Sequence, residues 1–338
     1  MTLKPLKQAA GSRAGLIAGA VALGATALAL WIESKARRAE REDPPLGRFV
    51  EVDGVRLHYV DRGEGPAIVL LHGNMVSLKD FEASGLIDAL ARTRRVIAFD
   101  RPGFGHSSRP RDRLWTPAAQ AKLLSEAFKL LDIDRPVVLG HSMGAMVAIE
   151  LGLNHPRDID GLVLLGGYFY PSLRIDALMT APVALPLVGD VMRYTVTPVA
   201  GRLGIRSAVK GMFLPRDIPD DFFPIVSREM MLRPIQLRSN AEDAAFMIPA
   251  ARASQLRHHE LQMPVVIVAG ADDKVIDSEA HSVRLHHDLL QSSLAVVPVA
   301  GHMVHYGMAE ELVAMVDGQF GVSSAGTPAA AEVAAGLP

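Results

Sequence analysis

Six short apolar runs recur along the chain, "AIVLLHG", "RVIAFD", "PVVLGHS", "GLVLLGG", "PVVIVAG" and "LAVVPVAG", with longer helical stretches between most of them. A strand that is apolar at every position must be covered on both faces, and helices returning between such strands supply the cover. The pattern predicts a βαβ architecture around a buried, mostly parallel sheet. Ahead of it, "RFVEV" and "VRLHYVD" flank Asp53-Gly54, a two-residue hairpin signal, so the body opens with an antiparallel ribbon. At 338 residues the chain is long enough to be one large α/β domain with an insertion.

The rhythm breaks between Leu165 and Pro264. Proline-bearing apolar patches such as "IDALMTAPVALPLVGDVMRY" and "DFFPIVSREMMLRPIQL" fill this interval, too long for a structureless loop, and predict an inserted helical cap at about 168–260. Most of its apolar residues form the cap's own small core, and a minority line a pocket.

The N-terminus divides into a basic segment, residues 1–13 with Lys4, Lys7 and Arg13, and an uncharged apolar run, residues 14–32. Such a run just spans a bilayer as a helix, and Trp31 suits the membrane interface. A cleaved signal peptide is the alternative, because Ala27-Leu28-Ala29 resembles a cleavage site; the protein is then secreted or periplasmic. The anchor is the stronger expectation, since the apolar run continues through Ile32. Lys35, Arg37, Arg38 and Arg41 balance the basic residues ahead of the run, so the side occupied by the main folded body stays open. Residues 33–47, charged and closed by Pro44-Pro45, read as a linker. The folded body is expected over 48–320, and residues 321–338 as a low-complexity, flexible tail.

The 35 Lys and Arg against 37 Asp and Glu leave no global field for a polyanion, which argues against nucleic-acid binding. With no cysteine, thiolate catalysis, disulfides and Cys-based zinc sites are excluded together. No glycine-rich phosphate loop occurs, and the His258-His259 and His286-His287 pairs lack a matching ligand set, so no cofactor or metal is expected. No motif specifies an oligomeric state.

Within "VVLGHSMGAM", Gly140-His141-Ser142-Met143-Gly144 fits G-x-S-x-G between a strand and the helix-like "MGAMVAIELGLNH". That context lifts a serine out at the top of a sheet and seats it at a helix N-terminus, where developing negative charge is favoured. A serine hydroxyl needs a base, and the base an orienting acid. His302, in the loop after the last apolar strand, is the best-placed base, with His305 a nearby competitor; His141 is too close along the turn. At the end of "PVVIVAG" stand Asp272 and Asp273, where catalytic groups gather in open α/β sheets. Asp273 is favoured, with Asp272 and Asp277 in reserve. For the oxyanion, the backbone N–H groups of Asn74, after "LLHG", and of Met143 are the expected donors.

Taken in order, "LHGN", "DRPGFGHS", "GHSMG", "GADDKVI" and "GHMVHY" resemble the α/β-hydrolase fold superfamily over roughly residues 48–320. The resemblance implies that the second Asp of the Gly-x-x-Asp stretch, Asp273, is the acid and that the late Gly-His carries the base, His302. "DRPGFGHS", Asp100 to Ser107, is a common loop of that family near the pocket mouth and is read as structural. Dehalogenase and epoxide-hydrolase members place an aspartate where this chain has Ser142, so a serine esterase or lipase-like member is expected, acting on a small apolar ester. Two alternatives stand beside it: carbon–carbon bond hydrolysis of a ring-cleavage dienoate, which needs a pocket cation such as Arg174, Arg228 or Arg233, and a non-catalytic, membrane-tethered binding protein.

Overall fold

The computed structural model describes residues 5–321. Its strands are β1 (Arg48–Val52), β2 (Val55–Arg62), β3 (Ala67–Leu71), β4 (Arg95–Phe99), β5 (Val137–His141), β6 (Gly161–Leu165), β7 (Val265–Gly270) and β8 (Ser292–Val297). Each falls on an apolar run or on the opening ribbon. They form one sheet in the order β1-β2-β4-β3-β5-β6-β7-β8, with β2 antiparallel to both its neighbours and every other pairing parallel. The ribbon turns at Asp53 (φ 47°) and Gly54 (φ 74°), the two consecutive positive φ angles that a type I′ turn demands. β5, β6 and β7 are buried at every residue, whereas the edge strands β1 and β8 are partly exposed.

The helices, in chain order, are α1 (Pro5–Glu42), α2 (Lys79–Ala83), α3 (Leu86–Leu90), α4 (Pro117–Leu130), α5 (Met143–Asn154), α6 (Ile175–Ala184), α7 (Val188–Arg193), α8 (Val196–Phe213), α9 (Phe222–Ile225), α10 (Arg228–Met231), α11 (Pro234–Ser254), α12 (Arg284–Asp288) and α13 (Ala309–Phe320). Alternate strand residues face opposite layers. Val69, Leu71, Val138 and Leu164 pack with Phe128 of α4 and Leu151 of α5, while Ile68, Leu70, Leu139 and Val163 pack with Leu90 of α3 and Leu312 of α13. Each such fully buried side chain contributes about 1.5–3 kcal/mol relative to exposure. Helices α6 to α11 stand between β6 and β7, where the rhythm of the sequence breaks, and α6 packs along α11.

The order of the strands fixes where a site can form. From β3 the chain moves outward to β4, then returns past β3 to β5 and proceeds the other way to β6. Connections that leave adjacent strands in opposite directions open a crevice at the strands' C-terminal ends. The loops after β3 and β5 border it, and they carry Asn74 and Ser142.

Among the described residues, one helix is long and apolar enough to cross a membrane, the Gly15–Glu42 part of α1. It does not stop where charge returns. Residues 33–42, read above as linker, continue the same helix, because Glu33–Arg37 (2.8 Å) and Arg38–Glu42 (2.7 Å) are helical i,i+4 pairs and no proline intervenes before Pro44. Nor is this segment a free tether. Ile32 and Ala39 are buried, Glu40 accepts from Arg233 at 2.7 Å, Asp43 pairs with Lys79, and Arg202 of α8 lies 5.1 Å over the Trp31 ring. Lys4 and residues 322–338, nearly all of the expected tail, lie outside the described residues.

Candidate active site

Ser142 sits between β5 and α5 at φ 53°, ψ −114°, a conformation that side-chain-bearing residues avoid. Its surroundings enforce it. The Ser142 N–H donates to the Leu165 carbonyl of β6 at 2.8 Å, and the flanking glycines let the turn close. A Cβ on Gly140 would fall 2.4 Å from the Gly144 oxygen, and one on Gly144 would fall 2.0 Å from the Leu71 oxygen of β3. Both glycines of G-x-S-x-G are therefore required by contact. Met143 opens α5, so its N–H has no acceptor within the helix.

His302 lies in the loop after β8, and its Nδ1 is 2.8 Å from Asp273 Oδ2 in the loop after β7. A carboxylate accepts only, so Nδ1 carries the proton and Nε2 is left as the basic nitrogen. The second oxygen, Asp273 Oδ1, accepts the N–H groups of Val275 (2.7 Å) and Ile276 (2.9 Å). Burial pushes the Asp273 carboxyl up, but the charge and hydrogen bond of His302 with these two amides outweigh it and hold Asp273 below the ordinary carboxylate value. Of the other two aspartates, Asp272 anchors its main chain by donating its N–H to the Ala300 carbonyl (2.9 Å), and the Asp277 carboxylate caps the following turn by accepting the Ala280 N–H (2.9 Å).

The competing histidines are also engaged. His305 Nε2 is 3.0 Å from Asp80 Oδ2, and the Tyr306 hydroxyl donates to Asp80 Oδ1 at 2.9 Å. His141 Nε2 donates to the His302 carbonyl at 3.0 Å, bracing the loop that carries His302. Complete burial, with the imidazoles of His305 and His302 as neighbours, holds the His141 imidazole well below its ordinary 6.5. Donor atoms of Asp80, His141 and His305 lie within 4.8 Å of one another, the kind of grouping that can receive a cation, but here Asp80 is already bonded by His305 and Tyr306.

Asn74, Ser142, Met143 and His302 line one cavity of about 420 Å³, together with Arg174 and Lys274. Of the three cap arginines considered in the sequence, Arg174 is the one that reaches this cavity. Arg228 pairs with Glu229 at the surface, and Arg233 is buried on Glu40. A second cavity of about 500 Å³ shares Met75, Thr180, Ala208 and Asn240 with the first and is walled mainly by apolar side chains, among them Val183, Ile205, Leu232 and Leu237.

Arg101, in the loop read as structural, is the residue that sequence reasoning undervalued. It is fully buried and donates to the His72 carbonyl (2.8 Å), the Gly73 carbonyl (3.1 Å) and Asn74 Oδ1 (2.9 Å), so it shapes the loop that presents the Asn74 amide. Its charge is met by Asp243 of α11 at 2.6 Å, and Arg109 meets the same carboxylate at 2.9 Å. The signal available was a cation directly after an apolar strand; its partner, 142 residues later, had none.

A family model described as the α/β hydrolase fold matches residues 66–307. Among curated relatives, the chain is similar to a 2-hydroxy-6-oxo-6-(2'-aminophenyl)hexa-2,4-dienoic acid hydrolase of Metapseudomonas resinovorans, 32% identical over 278 residues, covering 77% of this chain and 86% of the relative. A solved thermophilic esterase from Thermogutta terrifontis shares the fold at a TM-score of 0.67 and 22% identity, over 81% of this chain and 98% of the esterase. A bacterial membrane phospholipase A shares it at a TM-score of 0.58 and 20% identity, over 94% of this chain and 100% of the phospholipase. With the strand order, the turn at Ser142 and a family match across most of the sheet in agreement, the chain belongs to the α/β-hydrolase family.

Proposed function

We propose that this chain is a serine hydrolase that cleaves the carboxylic ester of an apolar acyl or aromatic substrate, held at a membrane by residues 14–32. The observation that carries the reading is the joined pair of cavities: Ser142 and His302 line the first, and the second extends it with apolar walls suited to an acyl group. His302 Nε2 takes the Ser142 hydroxyl proton as the oxygen attacks the acyl carbon. The N–H groups of Asn74 and Met143 hold the oxyanion, and Asp273 stabilises the imidazolium. His302 then returns the proton to the leaving alcohol, and water, activated by the same histidine, releases the acid. The anchor reading is supported by an unbroken α1 whose apolar part is exposed.

The test is hydrolysis of p-nitrophenyl esters from two to sixteen carbons by the full chain in detergent, wild type beside Ser142→Ala. Turnover that peaks at one chain length and is lost by at least about 10⁴-fold in the variant is expected. Folded wild-type protein without turnover at any length would overturn the reading.

One observation favours a second reading. Arg174 and Lys274 line the Ser142 cavity, and a cation there suits the carboxylate of a dienoate such as the one named for the Metapseudomonas relative. A 2-hydroxy-6-oxo-dienoate cleaved at a higher kcat/KM than the best ester would move the assignment to carbon–carbon bond hydrolysis.

A further inference from the structure

Helices α6 to α8 carry an unusual outer surface. Met179 is 77% exposed, Leu187 80% and Leu203 85%, with Leu178, Val191 and Val196 also more than half exposed. These three helices pack on one another in sequence, α6 on α7 and α7 on α8. Large apolar side chains left exposed in this number on neighbouring helices mark a contact with a membrane or another protein.

Its position relative to α1 selects the partner. Arg202, one residue from Leu203 and one turn from Val199, stacks over Trp31, and Lys35 approaches the same ring at 5.8 Å. Trp31 stands at the end of the uncharged run, where a tryptophan settles at headgroup level in a bilayer. With Ile32 and Ala39 buried against the body and Arg233 on Glu40, α1 has no hinge between its apolar part and this contact. A bilayer that takes up α1 therefore meets α8 at its surface. Leu16 and Leu23 of α1, each 74% exposed, and the face on α6 to α8 need the same apolar medium. The cations beside that face suit anionic headgroups.

We propose that the outer face of α6 to α8 lies in the headgroup and upper acyl region of the bilayer that holds α1, and that the apolar cavity between these helices receives the acyl chain of a lipid-borne ester from that side. Met179 belongs to both surfaces, lining the cavity while exposed outside. This rests on the reading of α1 as an anchor and deepens the ester reading by naming where the substrate resides.

Because the chain has no cysteine, single cysteines can be introduced and labelled at will. The full chain carrying an environment-sensitive fluorophore at Val21→Cys, Leu187→Cys, Leu203→Cys or Leu290→Cys is placed in vesicles of phosphatidylcholine with a minority of phosphatidylglycerol, and quenching by spin-labelled lipid is read. Leu290, fully exposed ahead of β8, lies at the end of the sheet away from α6 to α8. Quenching at 187 and 203 but not at 290 is expected. If 187 and 203 match 290 while 21 is quenched, docking is wrong and the anchor stands. If 21 is unquenched as well, the anchor fails and docking falls with it. Disulfide-linked dimers through Leu187→Cys without lipid quenching would replace the bilayer with a second copy of the chain. In the activity arm, Leu187→Asp with Leu203→Asp lowers hydrolysis of a vesicle-borne long-chain ester by about tenfold or more while p-nitrophenyl acetate turnover is unchanged; an equal loss on both substrates would overturn the proposal.

Discussion

Ser142, Asp273 and His302 stand on a floor of strand ends in which polar groups are densely tied, whereas the α6 to α8 helices above them hold apolar walls with few such ties. On the floor, Asp273 has three donors, His302 is held by its own carbonyl as well as its ring, and Arg101 fastens the Asn74 loop. Above it, Met179, Leu203 and their neighbours spend much of their surface on the outside. On the proposed ester-hydrolase reading, the contrast follows from two tasks. Stabilising charge at fixed points requires donors that cannot reorganise, and accepting an apolar group requires shape and dryness. Loss of a floor residue should therefore appear in the chemical step, and change in the upper helices in which substrate is accepted.

The sharpest way to break this comparison is Asp273→Asn. It keeps the size of the side chain and removes the charge that fixes the His302 tautomer, so kcat is expected to fall on the order of 10⁴-fold with little change in KM. A loss confined to KM would mean that this pair positions substrate instead. Next in size is Asp243→Ala. Asp243 sits on α11 yet neutralises Arg101 and Arg109, and all three side chains are fully buried. Removing it leaves the buried Arg101 guanidinium without a carboxylate and Arg109 with Glu242 alone, which is expected to cost about 3–5 kcal/mol of stability, read as a lower urea midpoint at constant m-value. A change below about 1 kcal/mol would separate α11 from the floor.

The sequence exposed these two regions unequally. Strands buried on both faces leave continuous apolar runs, so the eight strands and their order along the chain were legible. The elbow was legible because its two glycines answer to contacts with Gly144 and Leu71, local consequences of a strand–turn–helix. Position at a strand end left Asp272 and Asp277 in reserve beside Asp273, which the family resemblance favoured; the turn in which Val275 and Ile276 direct their amides at the Asp273 carboxylate is not encoded by spacing along a loop. The Arg101–Asp243 pair and the Asp80–His305 pair join distant segments, and neither partner signals the other. Residues 33–42 looked like a tether because charge and nearby prolines suggest one. Their i,i+4 pairing, together with a body surface to pack on, makes them helix.

Acid should sharpen the comparison. His72 beneath the Asn74 loop, His258 after α11 and His281 beside Tyr168 are each lowered from 6.5 to about 4, chiefly by burial. Between these values the unfolded chain binds protons that the folded chain refuses, so stability falls as pH falls from about 6.5 to about 4. Asp273 and Asp100 are held below the ordinary 3.8, so their contribution is intact above that value and is lost only as pH falls through their lowered values. Helices α6 to α11 contain no histidine. Urea midpoints measured from pH 7.5 to 4.5 are expected to decline below 6.5, with exchange protection lost around His72 and His281 before α6 to α8. A flat midpoint across that window would show that these imidazoles titrate alike in both states.

The smallest expected effect tests the upper helices by themselves. Gly204 lines the apolar cavity from α8, and a Cβ built there meets nothing within 4 Å. Gly201 on the same helix is different, since its Cβ would come 2.6 Å from Leu232 Cδ2. Gly204→Ala is expected to gain about 0.5–1 kcal/mol from helix propensity, with no loss of turnover on short esters. Gly204→Leu keeps that gain but places a branched side chain where an acyl group would lie, so the preferred p-nitrophenyl ester becomes shorter while kcat on the acetate stays unchanged. If Gly204→Leu instead lowers turnover equally at every chain length, the second cavity does not sort substrates, and the division between a floor that performs chemistry and upper helices that select the substrate would have to be redrawn.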